Sequence, residues 1–144
     1  MLHFRTSLPI AAMLVAAIGC GSQQDGFTYQ PVSGKVTMDG QPLAGAIVAF
    51  VPQSNTLKSG RPSTGVTDDS GTFTLMSMGG HHGAVVGEHV VSISTKVVDN
   101  DTQDLISEET VPIKYNDRSE LTFTVPASGT DTANFDLDSK PTRR

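Results

Sequence analysis

The sequence predicts an all-β protein, an antiparallel Greek-key β-sandwich of about seven strands. Three observations predict this fold class. Short segments alternate apolar and polar residues with the period of two that is typical of half-buried strands. Turn signals rich in Gly, Asp, Asn and Pro separate these segments. Beyond the first 20 residues, no segment repeats its apolar residues with the period of a helix.

The stretch 32–52 opens the predicted sandwich with two strands. Residues 32–38 place Val32, Val36 and other apolar residues on one face and polar residues on the opposite face. Asp39-Gly40 predicts a hairpin-type turn, because glycine adopts a positive φ without strain. Residues 47–51 are apolar on both faces, which indicates a central strand.

Six further short strands are predicted after this pair, at residues 63–67, 72–76, 88–96, 111–115, 120–125 and 133–137. The three longest connections, residues 52–62, 77–87 and 99–109, are predicted to be exposed loops, the last of them acidic and mobile. The core is expected to combine four phenylalanines with seven aliphatic residues: Phe50, Phe73, Phe123, Phe135, Val36, Val48, Leu75, Val91, Ile93, Leu121 and Leu137.

The first 19 residues are predicted to be a signal peptide. Arg5 and the amino terminus make its start positive, and residues 8–17 form an apolar stretch of suitable length. That stretch is shorter than the roughly 20 residues that a membrane-spanning helix needs. Residues 17–20, Ala-Ile-Gly-Cys, resemble the bacterial lipobox, in which a cysteine is acylated and becomes the new amino terminus. Ala17 stands where Leu is usual in that motif.

Cys20 is the only cysteine, so an internal disulfide is excluded and lipidation is its expected role. The alternative is a secreted protein with a chance cysteine at the cleavage site. Lipidation, for example with palmitate, predicts a lipid-anchored protein on the extracytoplasmic face of a bacterial membrane, in the cell envelope. The expected organisation is a signal peptide at 1–19, a lipidated tether at 20–31, the β-sandwich at 32–138 and a polar tail at 139–144.

The charge balance argues against a nucleic-acid partner. The chain has 10 Lys and Arg against 15 Asp and Glu, for a net charge of −5. Its basic residues are scattered rather than clustered, and nucleic-acid-binding proteins usually carry a basic patch.

Several motifs, in this order, resemble the carboxypeptidase regulatory-like domain. They are Gly34-Lys35-Val36-Thr37, residues 39–46 (DGQPLAGA), residues 67–71 (TDDSG) followed by Phe73 and Leu75, and Gly87, His89, Val91 and Ile93. Residues 111–116 and 121–125 are similar to the end of small bacterial lipoproteins built on this domain. The resemblance covers about residues 32–137. It implies a transthyretin-like (prealbumin-like) sandwich and a non-catalytic accessory, adhesive or structural role, although a fold alone does not define a function.

The strongest candidate for metal chemistry is the loop at residues 76–82, which contains Met76, Met78, His81 and His82. Thioether and imidazole groups together could bind copper outside the cytoplasm. The competing interpretation places Met76 in the core and the two histidines in an exposed loop, where neighbouring side chains of an extended segment point apart. His89 has inward parity and is expected to be a packed, hydrogen-bonded histidine.

Two acidic segments are better explained as turns than as calcium sites. Residues 68–71 lack the third spaced carboxylate and the later Glu of a calcium loop. Residues 99–109 are interpreted as a solvated acidic loop. The sequence contains neither G-x-S-x-G nor H-E-x-x-H, so no catalytic residue is predicted.

These observations predict a non-catalytic binding or structural module without a cofactor. Its expected partners are the membrane, through Cys20, and a protein or glycan of the cell envelope. A copper-handling lipoprotein that uses Met76, Met78, His81 and His82 is the alternative.

Overall fold

The computed structural model describes residues 25–53 and 60–140, which build two β-sheets from short strands. The signal peptide, Cys20, the first part of the tether, part of the loop 52–62 and the end of the tail lie outside the described residues. The strands are β1 (Tyr29–Gln30), β2 (Ser33–Met38), β3 (Gln41–Pro42), β4 (Ile47–Pro52), β5 (Ser63–Val66), β6 (Thr72–Thr74), β7 (Met76–Ser77), β8 (Ala84–Val85), β9 (Gly87–Ser94), β10 (Val97–Val98), β11 (Leu105–Ser107), β12 (Thr122–Val125) and β13 (Phe135–Leu137).

The larger sheet has the strand order β12-β9-β4-β5-β7, and all its pairs are antiparallel. β4 lies at its centre and pairs with β9 along its whole length, from Ile47 opposite Ser94 to Pro52 opposite His89. This confirms the prediction of a central strand at residues 47–51.

The smaller sheet is built around β2. This strand pairs antiparallel with β3 and β6 and parallel with β13. The parallel pair is a departure from a purely antiparallel sandwich, and it joins the end of the chain to the first long strand. Two further pairs, β1 with β8 and β10 with β11, lie outside these two sheets.

The two sheets bury a common core, as the apolar alternation predicts. Phe135 of the smaller sheet contacts Phe50 and Phe123 of the larger one, with ring centroids 6.1 and 6.0 Å apart. Of the eleven predicted core residues, nine are buried, and Leu121 and Phe123 are partly buried against the same cluster. The predicted all-β sandwich is therefore confirmed.

The strand predicted at residues 111–115 is wrong. Ile113–Tyr115 is a single 3-10 turn, in which the Tyr115 backbone N–H donates to the Pro112 carbonyl at 2.9 Å. Pro112 lacks the backbone N–H that a ladder needs, so the chain turns at this point instead of pairing.

The folded part also extends beyond the expected limits of 32 and 138. Strand β1 lies within the segment assigned to the tether and pairs with β8. At the other end, the Ser139 backbone N–H donates to the Asp39 carboxylate at 3.0 Å, so the first residue of the expected tail contacts the β2–β3 turn. The predicted acidic loop at 99–109 belongs to a hairpin, in which β10 just before the loop pairs with β11 inside it.

Candidate functional site

A shallow cleft of about 350 Å³ lies where the β7–β8 loop meets the segment that leads into β1. It is lined by Asp25, Arg61, Met78, Gly79 and His81. Three separate parts of the sequence therefore form one surface. It includes two of the four residues of the predicted copper site, together with a carboxylate and a guanidinium.

Backbone hydrogen bonds fix the conformation of the β7–β8 loop, and two of them are accepted by Ser77, the last residue of β7. The buried Ser77 hydroxyl accepts the backbone N–H of Gly79 at 3.2 Å and of His81 at 3.1 Å. The Met78 N–H donates to the Pro62 carbonyl at 2.9 Å. Gly80 has a φ of +82°, a conformation that glycine adopts without strain. These contacts turn the chain so that Met78 and His81 reach the same cleft.

Tyr29 joins the start of the fold to this loop. Its ring stacks on His81, with centroids 4.3 Å apart and planes 14° from parallel. Its hydroxyl donates to Asp25 Oδ2 at 2.6 Å, and His81 Nε2 lies 4.0 Å from the same oxygen. The contacts among these three side chains therefore hold the segment that leads into β1 against the β7–β8 loop at the cleft.

The pKa values of Asp25 and Tyr29 follow from this geometry. The hydrogen bond from the Tyr29 hydroxyl, more than any other contact, lowers the pKa of the Asp25 carboxyl. Burial, followed by the hydrogen bond to Asp25 and its negative charge, raises the pKa of Tyr29. Tyr29 is thus a protonated hydrogen-bond donor at neutral pH.

The four residues of the predicted copper site fall into two pairs. Met78 and His81 line the cleft, whereas Met76 forms an antiparallel bridge with His82. Met76 is 47% exposed, so the expectation that it ends its strand in the core is wrong. Leu75 and Ser77 are the buried residues on either side of Met76, and alternation along the strand therefore turns it outward.

A metal site built from His, Cys, Asp and Glu side chains has no geometric support in the part of the chain that the structure describes. Within residues 25–53 and 60–140, no three or more His, Cys, Asp or Glu side chains are placed to hold a metal ion. The Asp68 carboxylate accepts the N–H groups of Ser70 and Thr72 at 2.9 and 3.0 Å, which is turn chemistry as predicted. Asp99 accepts the N–H groups of Asp101 and Thr102 in the same manner.

His89 is buried, as its parity predicts, and is not one of the residues that line the cleft. It is 1% exposed, and its Nδ1 contacts the Gly87 carbonyl at 3.0 Å. Its ring packs against Phe50 at a centroid distance of 5.6 Å. This histidine is a core residue of strand β9.

The sequence analysis missed Asp25, Tyr29 and Arg61. Asp25 and Tyr29 lie in the polar segment interpreted as a tether, and Arg61 lies in a predicted loop. The local signal was a pair of aromatic residues, Phe27 and Tyr29, in an otherwise polar stretch. The association of Tyr29 with His81 depends on the β1–β8 pairing, which connects residues more than 50 positions apart.

Comparisons with known proteins leave the family open. No protein-family model and no curated protein matches this chain. A solved structure of a 9R-lipoxygenase from Cyanothece PCC8801 aligns with a TM-score of 0.38 and 12% identity. The alignment covers 94% of this chain but 18% of the lipoxygenase, a likeness too weak to carry an argument about fold or activity. The described residues also contain no helix with the length and apolar character that a membrane span needs.

Proposed function

We propose that this chain is a lipid-anchored, non-catalytic β-sandwich of the bacterial cell envelope that binds a protein or glycan on its extracytoplasmic face. The main support is the short distance along the chain between Cys20 and the fold. Asp25 already contacts Tyr29 and His81, so four residues, 21–24, lie between Cys20 and a residue that contacts the fold. The five residue-to-residue steps from Cys20 to Asp25 span at most about 18 Å when fully extended.

This spacing would keep the start of the sandwich and its cleft close to the membrane surface. The resemblance to carboxypeptidase regulatory-like domains also favours an accessory module. The cleft chemistry agrees, because Tyr29 is a hydrogen-bond donor with a raised pKa rather than an activated base.

Lipidation at Cys20 is tested by labelling cells with radioactive palmitate. We expect the parent chain to incorporate the label and the Cys20→Ser variant to lose it, because the thiol is the acceptor of the lipid. Ser22→Ala is the matched control, since it alters the same segment and keeps the cysteine. An unlabelled parent chain, or a Cys20→Ser variant that still carries label, would refute the anchor.

The copper alternative has one observation in its favour, the cross-strand pairing of Met76 with His82. Directly opposed residues in an antiparallel pair place their side chains on one face, within about 5.5 Å between Cβ atoms. Two observations oppose a four-ligand site. Met78 and His81 line the cleft rather than joining this bridge pair, and the Arg61 guanidinium lines that same cleft.

We therefore expect the quadruple variant Met76→Ala, Met78→Ala, His81→Ala and His82→Ala to bind copper no more weakly than the parent. The measurement is a Cu(I) titration against a chromophoric chelator, after circular dichroism has shown that the variant is folded. A loss of affinity of about tenfold or more in the variant would instead favour the copper-handling function.

A further inference from the structure

The β10–β11 hairpin projects apolar side chains into solvent. Leu105 is 53% exposed and Ile106 is 65% exposed. Val98 is the register partner of Leu105, so these two side chains share one face and Ile106 lies on the other. The hairpin forms a two-stranded sheet of its own, separate from the two main sheets.

Two sets of hydrogen bonds hold this hairpin in place. At its base, the Glu109 carboxylate accepts the backbone N–H groups of Thr95 and Val111 at 3.0 and 2.9 Å, and it also accepts the Ser94 hydroxyl. At its tip, the Asp99 N–H donates to the Asp104 carbonyl at 2.8 Å. The apolar residues are therefore presented on a preorganised support, which reduces the entropy lost on binding.

Burial by itself would raise the pKa of Glu109, but the hydrogen bonds from Ser94, Thr95 and Val111 outweigh burial and lower the pKa. The carboxylate is accordingly ionised at neutral pH and holds the base of the hairpin. Four further carboxylates lie in residues 97–109, and no Lys or Arg occurs in this segment. The exposed members include Asp101, Asp104 and Glu108.

We propose that the β10–β11 hairpin is a docking surface for a protein whose apolar pocket is bordered by Lys and Arg. The proposal rests on the binding function inferred above and names the surface and the partner chemistry. The hairpin would insert into the pocket, which would contact Leu105 on one face and Ile106 on the other, and the carboxylates would pair with its basic rim. Exposed apolar groups surrounded by polar ones are typical of interaction sites, and opposite charges speed and orient association.

The charge of the hairpin argues against the other occupants. A second copy would bring two acidic hairpins together in a chain of net charge −5. An anionic lipid surface would be repelled in the same way. A glycan is usually held by aromatic side chains, and residues 97–109 contain none.

The test is site-specific photo-crosslinking in cells that produce the full chain, with the photoreactive residue at Thr102 on the hairpin tip. The control carries it at Thr64, an exposed strand residue of β5. We expect a protein adduct from Thr102 but not from Thr64, and its crosslinked peptide should lie beside clustered Lys or Arg. In isolated envelopes, 0.5 M NaCl should reduce the yield several-fold because it screens the charges.

Two variants separate the apolar and charged contributions. Leu105→Ser with Ile106→Ser should reduce the Thr102 adduct at least about tenfold, because central apolar residues carry most binding energy. Val66→Ser, which alters a 62% exposed apolar residue elsewhere, should leave the adduct unchanged. Asp101→Asn with Asp104→Asn and Glu108→Gln should reduce it without altering the hairpin strands.

Several results would overturn the proposal. They are an adduct with a second copy of the chain, an adduct with lipid, equal yields at Thr102 and Thr64, and a yield that is insensitive to both salt and the charge variant. A photoreactive residue at Met78 distinguishes the hairpin from the general binding function. Adducts at Met78 alone would refute the hairpin and keep the binding module, whereas adducts at neither position would refute both.

Discussion

At the scale of single residues, His89 combines full burial with an incomplete set of hydrogen bonds. Its Nδ1 contacts the Gly87 carbonyl, which makes Nδ1 the protonated nitrogen, and its buried Nε2 has no hydrogen-bond partner. Burial, only partly offset by the contact with Gly87, lowers the pKa of His89 below 6.5. The neutral imidazole is therefore the form that the folded protein favours.

This imidazole predicts a loss of stability in mild acid. Because the pKa of His89 is lower in the folded state, the unfolded chain binds more protons as the pH falls through 6.5. The contribution of the neutral His89 to the free energy of unfolding should thus be fully present above pH 6.5, and the free energy of unfolding should decrease as the pH falls below 6.5. His89→Leu should flatten this dependence, and the check is urea unfolding between pH 5 and pH 7.5. His82→Gln, which alters an exposed histidine, serves as the control. Parallel pH profiles for the parent and His89→Leu would contradict the argument.

At the scale of elements, Gly34 allows the parallel contact between β2 and the segment leading into β13. A Cβ atom at Gly34 would collide with the Ala133 carbonyl. The same segment is bonded to β2 by the Ala133 N–H, which donates to the Ser33 carbonyl at 3.1 Å, and by the Asn134 side chain, which accepts the Lys35 N–H at 2.9 Å. The backbones are therefore held too close for any side chain at this position.

Gly34→Ala should consequently destabilise the fold by about 1–3 kcal/mol or more, because backbone atoms cannot move aside as a side chain can. Urea unfolding followed by circular dichroism measures the change. Gly79→Ala is the matched control, since a Cβ there would meet the flexible Arg61 side chain 3.0 Å away. If the two substitutions cost the same, close backbone approach is not the reason for glycine at position 34.

Alternation predicted the elements that face the core, and it failed where pairing is set by distant residues. The period of two located β2, β4 and β9 because their buried faces require it. It missed β1, a two-residue strand whose existence depends on β8, and it assigned a strand to the 3-10 turn at Ile113–Tyr115. Strands this short contain too few residues to show a period.

The candidate site was predictable only in part, for the same reason. The Met-and-His loop was evident in the sequence, but the neighbours of His81 were not. Tyr29 and Arg61 reach it through the β1–β8 pair and through the loop that precedes β5. Such contacts cannot be predicted from local sequence, because they depend on pairing between strands that are far apart along the chain.

At the scale of the whole molecule, the core joins the two sheets through Phe135. Besides Phe50 and Phe123, this ring contacts Phe73 of the smaller sheet at a centroid distance of 6.4 Å. Phe135 lies on β13, which is tied to the rest of its sheet through β2. A single side chain of β13 therefore contacts aromatic residues of both layers.

Phe135→Ala should accordingly lower the free energy of unfolding by about 3–5 kcal/mol, the usual cost of removing a buried aromatic ring. That is a large part of the roughly 5–15 kcal/mol that stabilises a typical domain. Urea unfolding followed by far-UV circular dichroism and by tyrosine fluorescence measures the loss, with Tyr29 and Tyr115 reporting from β1 and from the 3-10 turn. Both signals should shift together, because the ring joins the sheets into one cooperative unit. Ile113→Ala, at a 53% exposed residue, should cost about 0.5 kcal/mol or less. A Phe135→Ala variant whose two signals separate would show instead that the sheets unfold independently.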